Sequence, residues 1–223
     1  MSRPYRPRLD PARLAALRTA LLAWFREHGR RLPWRRTRDP YRILVSEIML
    51  QQTQVDRVRG YYRRFLREYP SVQDLAAARP ERVRESWDGL GYYARARNLH
   101  AAARRIVEEH RGTFPRTVEE LRRLPGIGRY TAGAVASFAY GQAAPVLDTN
   151  VRRILSRVFV RRRTPGLERR LWALAEAVVP PDDAWAFNQA LMDLGATICR
   201  ARKPDCPACP LRPLCPYPAR PGR

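Results

Sequence analysis

Lysine is nearly absent from this chain. Lys203 is the only one in 223 residues, so the 43 Lys+Arg that face 21 Asp+Glu are almost all arginine. An arginine can hold a phosphate through two parallel N–H bonds, where a lysine acts as a point charge. A net charge of +22 is an argument about partners, and the usual partner of so basic a chain is nucleic acid. No apolar run approaches the ~20 residues of a membrane-spanning helix, and the N-terminus lacks the apolar core of a secretory leader. Membrane insertion and export are therefore not predicted, and a cytoplasmic place is. Convincing strand alternation is also missing, which points to an all-α fold. Histidine is scarce, and His28, His100 and His110 all lie far from the cysteines in sequence. All four cysteines fall between positions 199 and 215. A disulfide framework would be spread more widely, so this clustering suggests a metal site.

What the chain does have is a series of amphipathic runs cut by prolines and glycines. Leu14, Leu17, Leu21, Leu22 and Phe25 recur at helical spacing from Pro11 to about Arg30. Leu32-Pro33-Trp34-Arg35 breaks that helix. Tyr41 to Gln54 is apolar and then polar, and Tyr61 to Tyr69 is a further amphipathic stretch. Gly89-Leu90-Gly91-Tyr92-Tyr93 is a Gly-flanked turn leading into a helix over Ala94 to His110. Further helices are predicted over Val151–Val160, Leu167–Val179 and Ala184–Ile198. The last stretch reads C-x6-C-x2-C-x5-C through Cys199, Cys206, Cys209 and Cys215, interleaved with Pro204, Pro207, Pro210 and Pro213. No helix runs through that proline density. Four thiolates at this spacing can enclose zinc or a [4Fe–4S] cluster, and ligand type alone does not separate the two.

The stretch that organises the rest is Leu124-Pro125-Gly126-Ile127-Gly128-Arg129-Tyr130-Thr131-Ala132-Gly133. A polar run, Thr117 to Arg123, precedes it and a small-residue apolar run follows. Pro125 stops one helix, and Gly126 and Gly128 permit a tight turn into the next. Glycine N–H groups at a helix N-terminus make an anion site, and in so basic a chain a DNA phosphate is the expected anion.

Two carboxylates carry the candidate chemistry. Glu47 sits among Ile43, Leu44, Val45, Ile48, Met49 and Leu50. Desolvation there favours the protonated form, which can act as a general acid. Asp148 precedes a helix and reads as its N-cap, which the helix terminus keeps ionised. One protonated and one ionised carboxylate are what cleavage of an N-glycosidic bond needs, the first to protonate the leaving base and the second to balance the sugar cation.

These motifs together resemble the MutY adenine DNA glycosylases of the helix-hairpin-helix superfamily, which includes endonuclease III. The resemblance rests on Leu32-Pro33-Trp34, on Ser46 to Gln54, on Gly89 to His100 and on the hairpin 124–133. It continues through Leu147-Asp148-x-Asn150-Val151, Phe187 to Gly195 and the four-cysteine spacing. It implies two helical lobes: a six-helix barrel over 30–142 with the helix-hairpin-helix at 117–141, and a second lobe of 1–29 plus 143–223 with a cluster loop at 199–215. The target adenine is expected in the cleft between them. Glu47 matches the acid that protonates adenine, Asp148 the carboxylate beside the sugar, and Asn150 its polar neighbour. Gln52 and Tyr92 match the side chains that probe and wedge the duplex, and Gln51, with Leu124, Gly126, Gly128, Arg129 and Thr131 on the hairpin, completes the expected DNA-binding set. Tyr130 stands where lyase members carry a lysine, so no Schiff-base step is expected. The cysteine pattern implies a [4Fe–4S] cluster, and the partner is double-stranded DNA with a mispaired base, bound by a monomer in a prokaryotic nucleoid. The sequence ends eight residues after Cys215, where most members continue into a domain that reads 8-oxoguanine, so weaker selectivity for that base is expected. Two other readings are a mismatch thymine/uracil glycosylase of the same superfamily and a non-catalytic iron–sulfur DNA-binding protein.

Overall fold

The computed structural model describes residues 5, 7–160 and 165–217. Among these residues there are eleven α-helices and no strand. In chain order they are α1 (Pro11–His28), α2 (Pro40–Leu50), α3 (Val55–Glu68), α4 (Val72–Ala77), α5 (Pro80–Ser86), α6 (Ala94–His110), α7 (Val118–Leu121), α8 (Arg129–Tyr140), α9 (Thr149–Phe159), α10 (Leu167–Val178) and α11 (Ala184–Thr197). The all-α class expected from the sequence is what the chain adopts. The chain divides into two compact units, one of residues 31–140 and one of residues 1–30 with 141–223.

In the 31–140 unit the helix starts are written locally. Asp39 accepts from the Tyr41 N–H at 2.8 Å ahead of Pro40, which needs no N–H partner in the first turn. Thr117 and Glu120 form a capping box on the short α7. α2 is buried almost all round, from Tyr41 through Met49 apart from Arg42. It packs against α3, α6 and α8. The small side chains Ala132, Gly133, Ala134 and Ala136 on α8 allow that close approach. Trp87, Phe65, Met49, Leu99 and Ile106 complete this core. α3 begins six residues before the expected Tyr61, at Val55. Its buried line of Val58, Tyr62 and Phe65 keeps helical spacing, with Asp56, Arg57, Arg59, Arg63 and Arg64 between them.

The other unit has its own core. Leu17 and Leu21 of α1 meet Val151, Ile154 and Leu155 of α9, Leu171 and Leu174 of α10, and Phe187 and Leu191 of α11. Arg18 caps the end of α10 by donating to the Ala177, Val178 and Val179 carbonyls. Asp193, fully buried, is held by Arg30 through its backbone N–H at 2.8 Å and its guanidinium at 2.6 Å.

Candidate active site, hairpin and thiol cluster

Glu47 lies in the middle of α2 and is 3% exposed. The Tyr130 hydroxyl, from the first turn of α8, donates to its Oε2 at 2.8 Å. The burial expected from its apolar neighbours is therefore real, and the residue after Arg129 of the hairpin is its hydrogen-bond partner.

The hairpin stretch runs from α7, which ends at Leu121, through a turn to α8, which starts at Arg129. Gly126 takes φ +72°, where a Cβ would also come within 2.5 Å of the Asn98 Cβ, so the turn needs glycine twice over. Around Gly128 there is open space. Among the described residues, the N–H groups of Gly126 and Gly128 donate to no protein acceptor, whereas Ile127 N–H returns to the Leu124 carbonyl at 3.2 Å. N–H groups without an acceptor on exposed turn residues are suited to an anion. Two of the expected DNA-binding residues have buried side chains. Leu124 and Thr131 are 3% and 2% exposed, because one fills the core under the turn and the other faces α2, where Gln51 Nε2 donates to its hydroxyl at 3.5 Å. Their side chains are packing elements, and the exposed hairpin surface belongs to Gly126, Gly128 and Arg129.

Gln52 and Tyr92, the expected duplex probes, share an unusual backbone. Their φ values are +57° and +49°, in the left-handed region that non-glycine residues rarely adopt. Both side chains are exposed, Tyr92 at 64%. Residues held in such strained conformations gather at ligand-binding positions.

The second carboxylate belongs to the other unit. Asp148 caps α9, accepting from the Val151 N–H at 2.7 Å and from Asn150 Nδ2 at 2.9 Å. The N-cap reading is right, but the electrostatics differ from the expectation. Burial raises the Asp148 pKa above its ordinary value, and the Val151 N–H, the Asn150 amide and Arg153 only partly offset it. Desolvation of a charge outweighs the cap. Arg153 ties the group together, donating to Asn150 Oδ1 at 2.8 Å, to the Gly195 carbonyl at 2.6 Å and to the Cys199 carbonyl at 2.7 Å. Sequence reading assigned Arg153 no role. Its spacing of three from Asn150 was the available signal.

Cys199, Cys206, Cys209 and Cys215 are all half-buried and none is in a disulfide. They share one neighbourhood: burial pushes the Cys209 thiol up to about 11, and the charges of Cys199, Cys215 and Cys206 add to the effect. Cys215 is raised by burial in the same way. Four half-buried thiols whose charges raise one another are a donor set whose deprotonated form a positively charged centre would stabilise. The Arg157 guanidinium donates to Cys199 Sγ at 3.2 Å. Among the described residues no group of three or more His, Cys, Asp or Glu side chains is drawn in around a single metal ion.

A family model described as HhH-GPD superfamily base excision DNA repair protein matches residues 45–179, which hold Glu47, the hairpin and Asp148. The chain belongs to this superfamily. An adenine DNA glycosylase of Homo sapiens is 47% identical over 218 residues, covering 92% of this chain and 40% of that protein. One of Mycolicibacterium smegmatis is 46% identical over 194 residues, covering 86% and 66%. A thymine-DNA glycosylase of Aeropyrum pernix is 41% identical over 216 residues, covering 94% and 97%. The chain spans 40% to 44% of the length of the three mammalian adenine glycosylases it matches. Among solved structures, a thermostable thymine-DNA glycosylase aligns with TM-score 0.85 at 33% identity, covering 92% of this chain and 96% of that one. Endonuclease III in a non-covalent DNA complex aligns with TM-score 0.78 at 25% identity, covering 94% and 97%. Among the described residues, no helix is long and apolar enough to cross a membrane.

Proposed function

We propose that this superfamily member is a monofunctional adenine DNA glycosylase, which hydrolyses the N-glycosidic bond of adenine mispaired with guanine or 8-oxoguanine in double-stranded DNA. The observation that carries the reading is the buried Glu47 carboxyl with the Tyr130 hydroxyl 2.8 Å away, at the start of the helix the hairpin introduces. A buried carboxyl is suited to deliver a proton to a flipped adenine ring. Asp148, held by Val151 and Asn150, is the carboxylate placed to balance the positive charge that develops on the sugar. Water then completes the hydrolysis. The hydroxyl of Tyr130 offers no amine for a covalent sugar adduct. Gly126, Gly128 and Arg129 hold phosphate, and Gln52 and Tyr92 sense the opened pair. The adenine assignment draws on relatives of that name at 46–47% identity.

Cys199, Cys206, Cys209 and Cys215 are the residues that would hold a [4Fe–4S] cluster. Bound there, it would order the proline-rich loop and bring Arg202, Lys203 and Arg212 into position for phosphates.

A second reading, removal of thymine or uracil opposite guanine, is favoured by the thymine-DNA glycosylase that matches over 97% of its length. The deciding experiment is a panel of duplexes with A, T or U opposite G or 8-oxoguanine, scored for strand scission after alkali at matched salt. Excision of A opposite G and 8-oxoguanine is expected, and rapid loss of T or U with A untouched would establish the second reading.

A further inference from the structure

Arg95 has no assigned role in the reading above, yet it is the most heavily bonded side chain of the 31–140 unit. It is 8% exposed, on the first turn of α6. Its Nη1 donates to the carbonyls of Ile48 at 3.1 Å, Met49 at 2.9 Å and Gln51. Its Nη2 donates to Thr53 Oγ1 at 3.2 Å and to the carbonyls of Leu90 at 3.2 Å and Gly91 at 3.0 Å. The first set lies at the end of α2, where carbonyls have no helical partner. The second ends one residue before Tyr92. The guanidinium also lies 5.6 Å from the Tyr92 ring and 5.7 Å from that of buried Trp87. One planar group thus bonds both residues that flank Gln52 and the two residues that precede Tyr92.

That placement accounts for the backbone of both turns. Gln52 and Tyr92 each hold a left-handed φ that costs on the order of 1–3 kcal/mol and persists only where the surroundings over-determine it. Arg95 supplies the constraint, because its bonds fix the peptides on either side. A lysine, a compact charge with three donors, cannot reproduce a two-edged planar fork.

We propose that Arg95 is the positioning residue that locks the 51–53 and 90–92 turns to each other, so that Gln52 and Tyr92 meet a mispaired step as one rigid pair. The inference rests on the duplex-probing role given above to Gln52 and Tyr92.

The test uses the full chain and fluorescence anisotropy at fixed salt, comparing a duplex with a central A·8-oxoguanine pair to the same duplex with A·T. Tyr92→Ala is expected to reduce the preference for the mispair by roughly 5- to 100-fold, the range for one stacked aromatic. Arg95→Lys is expected to reduce it comparably without weakening binding to A·T, and Tyr92→Ala added to Arg95→Lys should lower it little further. Amide hydrogen exchange should rise in both turns together in Arg95→Lys and stay unchanged in α8. If Tyr92→Ala has no effect, the probing role falls and the inference falls with it. If Tyr92→Ala acts but Arg95→Lys leaves the preference intact, or the two losses multiply, the inference alone is overturned. Should Arg95→Lys fail to fold, Thr53→Val removes one of the bonds, and a smaller loss in the same direction is expected. No change in that variant would also overturn the proposal.

Discussion

Replacing Glu47 by glutamine isolates the proton from everything else the side chain does. The amide has the size of the carboxyl, and its oxygen can still accept from the Tyr130 hydroxyl that sits 2.8 Å from Oε2. At 3% exposure the neutral amide is no harder to bury than a carboxyl, so folding should change by less than about 1 kcal/mol. What the amide cannot do is donate its proton as an acid of matched strength. General acid catalysis contributes about 100- to 10,000-fold, so the single-turnover excision rate should fall by that factor, about 3–5.5 kcal/mol of barrier. Affinity for the mispaired duplex should remain near that of the unmodified chain. The assay is alkali-revealed strand scission under enzyme excess, paired with anisotropy on the same duplex. Glu47→Ala serves as the contrast. It removes the Tyr130 acceptor and opens space in α2, for a loss of about 1–3 kcal/mol and a melting point lower by roughly 2–12 °C. Near-normal excision by Glu47→Gln would refute the general-acid role, however well Glu47 is buried.

Asp148→Asn should separate stability from activity. Burial raises the Asp148 pKa, so its ionisation opposes folding: the penalty is absent below the pKa of the unfolded chain and complete once pH exceeds the raised folded value. At neutral pH the asparagine variant should melt no lower than the parent while excision is lost, and a large drop in melting temperature would refute this. Gly195→Ala puts a methyl 2.5 Å from the Asn150 Cβ and 3.0 Å from its Cα, which should cost about 1–3 kcal/mol of overpacking and slow excision by roughly tenfold or more by shifting the Asp148 cap. Unchanged thermal melting and rates would mean that α9 yields freely. Purified protein should be brown and carry four irons per chain, with Cys209→Ser losing both colour and iron; colourless, fully active protein with one zinc would contradict the cluster. Borohydride should trap no covalent protein–DNA complex, and efficient trapping would overturn the monofunctional reading.

Much of the fold was legible because its signals are local. Pro40 behind Asp39, the Thr117/Glu120 box and the Gly126 turn each need only a few neighbouring residues, so the sequence alone specifies them. The period of Leu14, Leu17 and Leu21 is equally local, and so is that of Val58, Tyr62 and Phe65, although α3 starts six residues before the expected Tyr61. Glu47 and Asp148 stood out for the same reason, one a lone acid in an apolar run and the other an acid at a helix start.

Only the tertiary structure decided what those groups experience. Leu124 and Thr131 are buried, the latter because α8 packs on α2, which no local pattern reveals. The pull on Asp148 reversed because desolvation depends on everything packed around a carboxylate, while a cap depends on the next three residues. Arg95 gave no signal at all in the sequence. Its partners at Ile48, Met49, Gln51 and Thr53 lie 42 to 47 residues away, and a fork of N–H donors acquires its role only when the fold brings those carbonyls and that hydroxyl to it. The sequence by itself determined the helices, the hairpin and the identity of the acids. Folding decided their solvation and the geometry of the turns, because both are sums over contacts between residues distant along the chain.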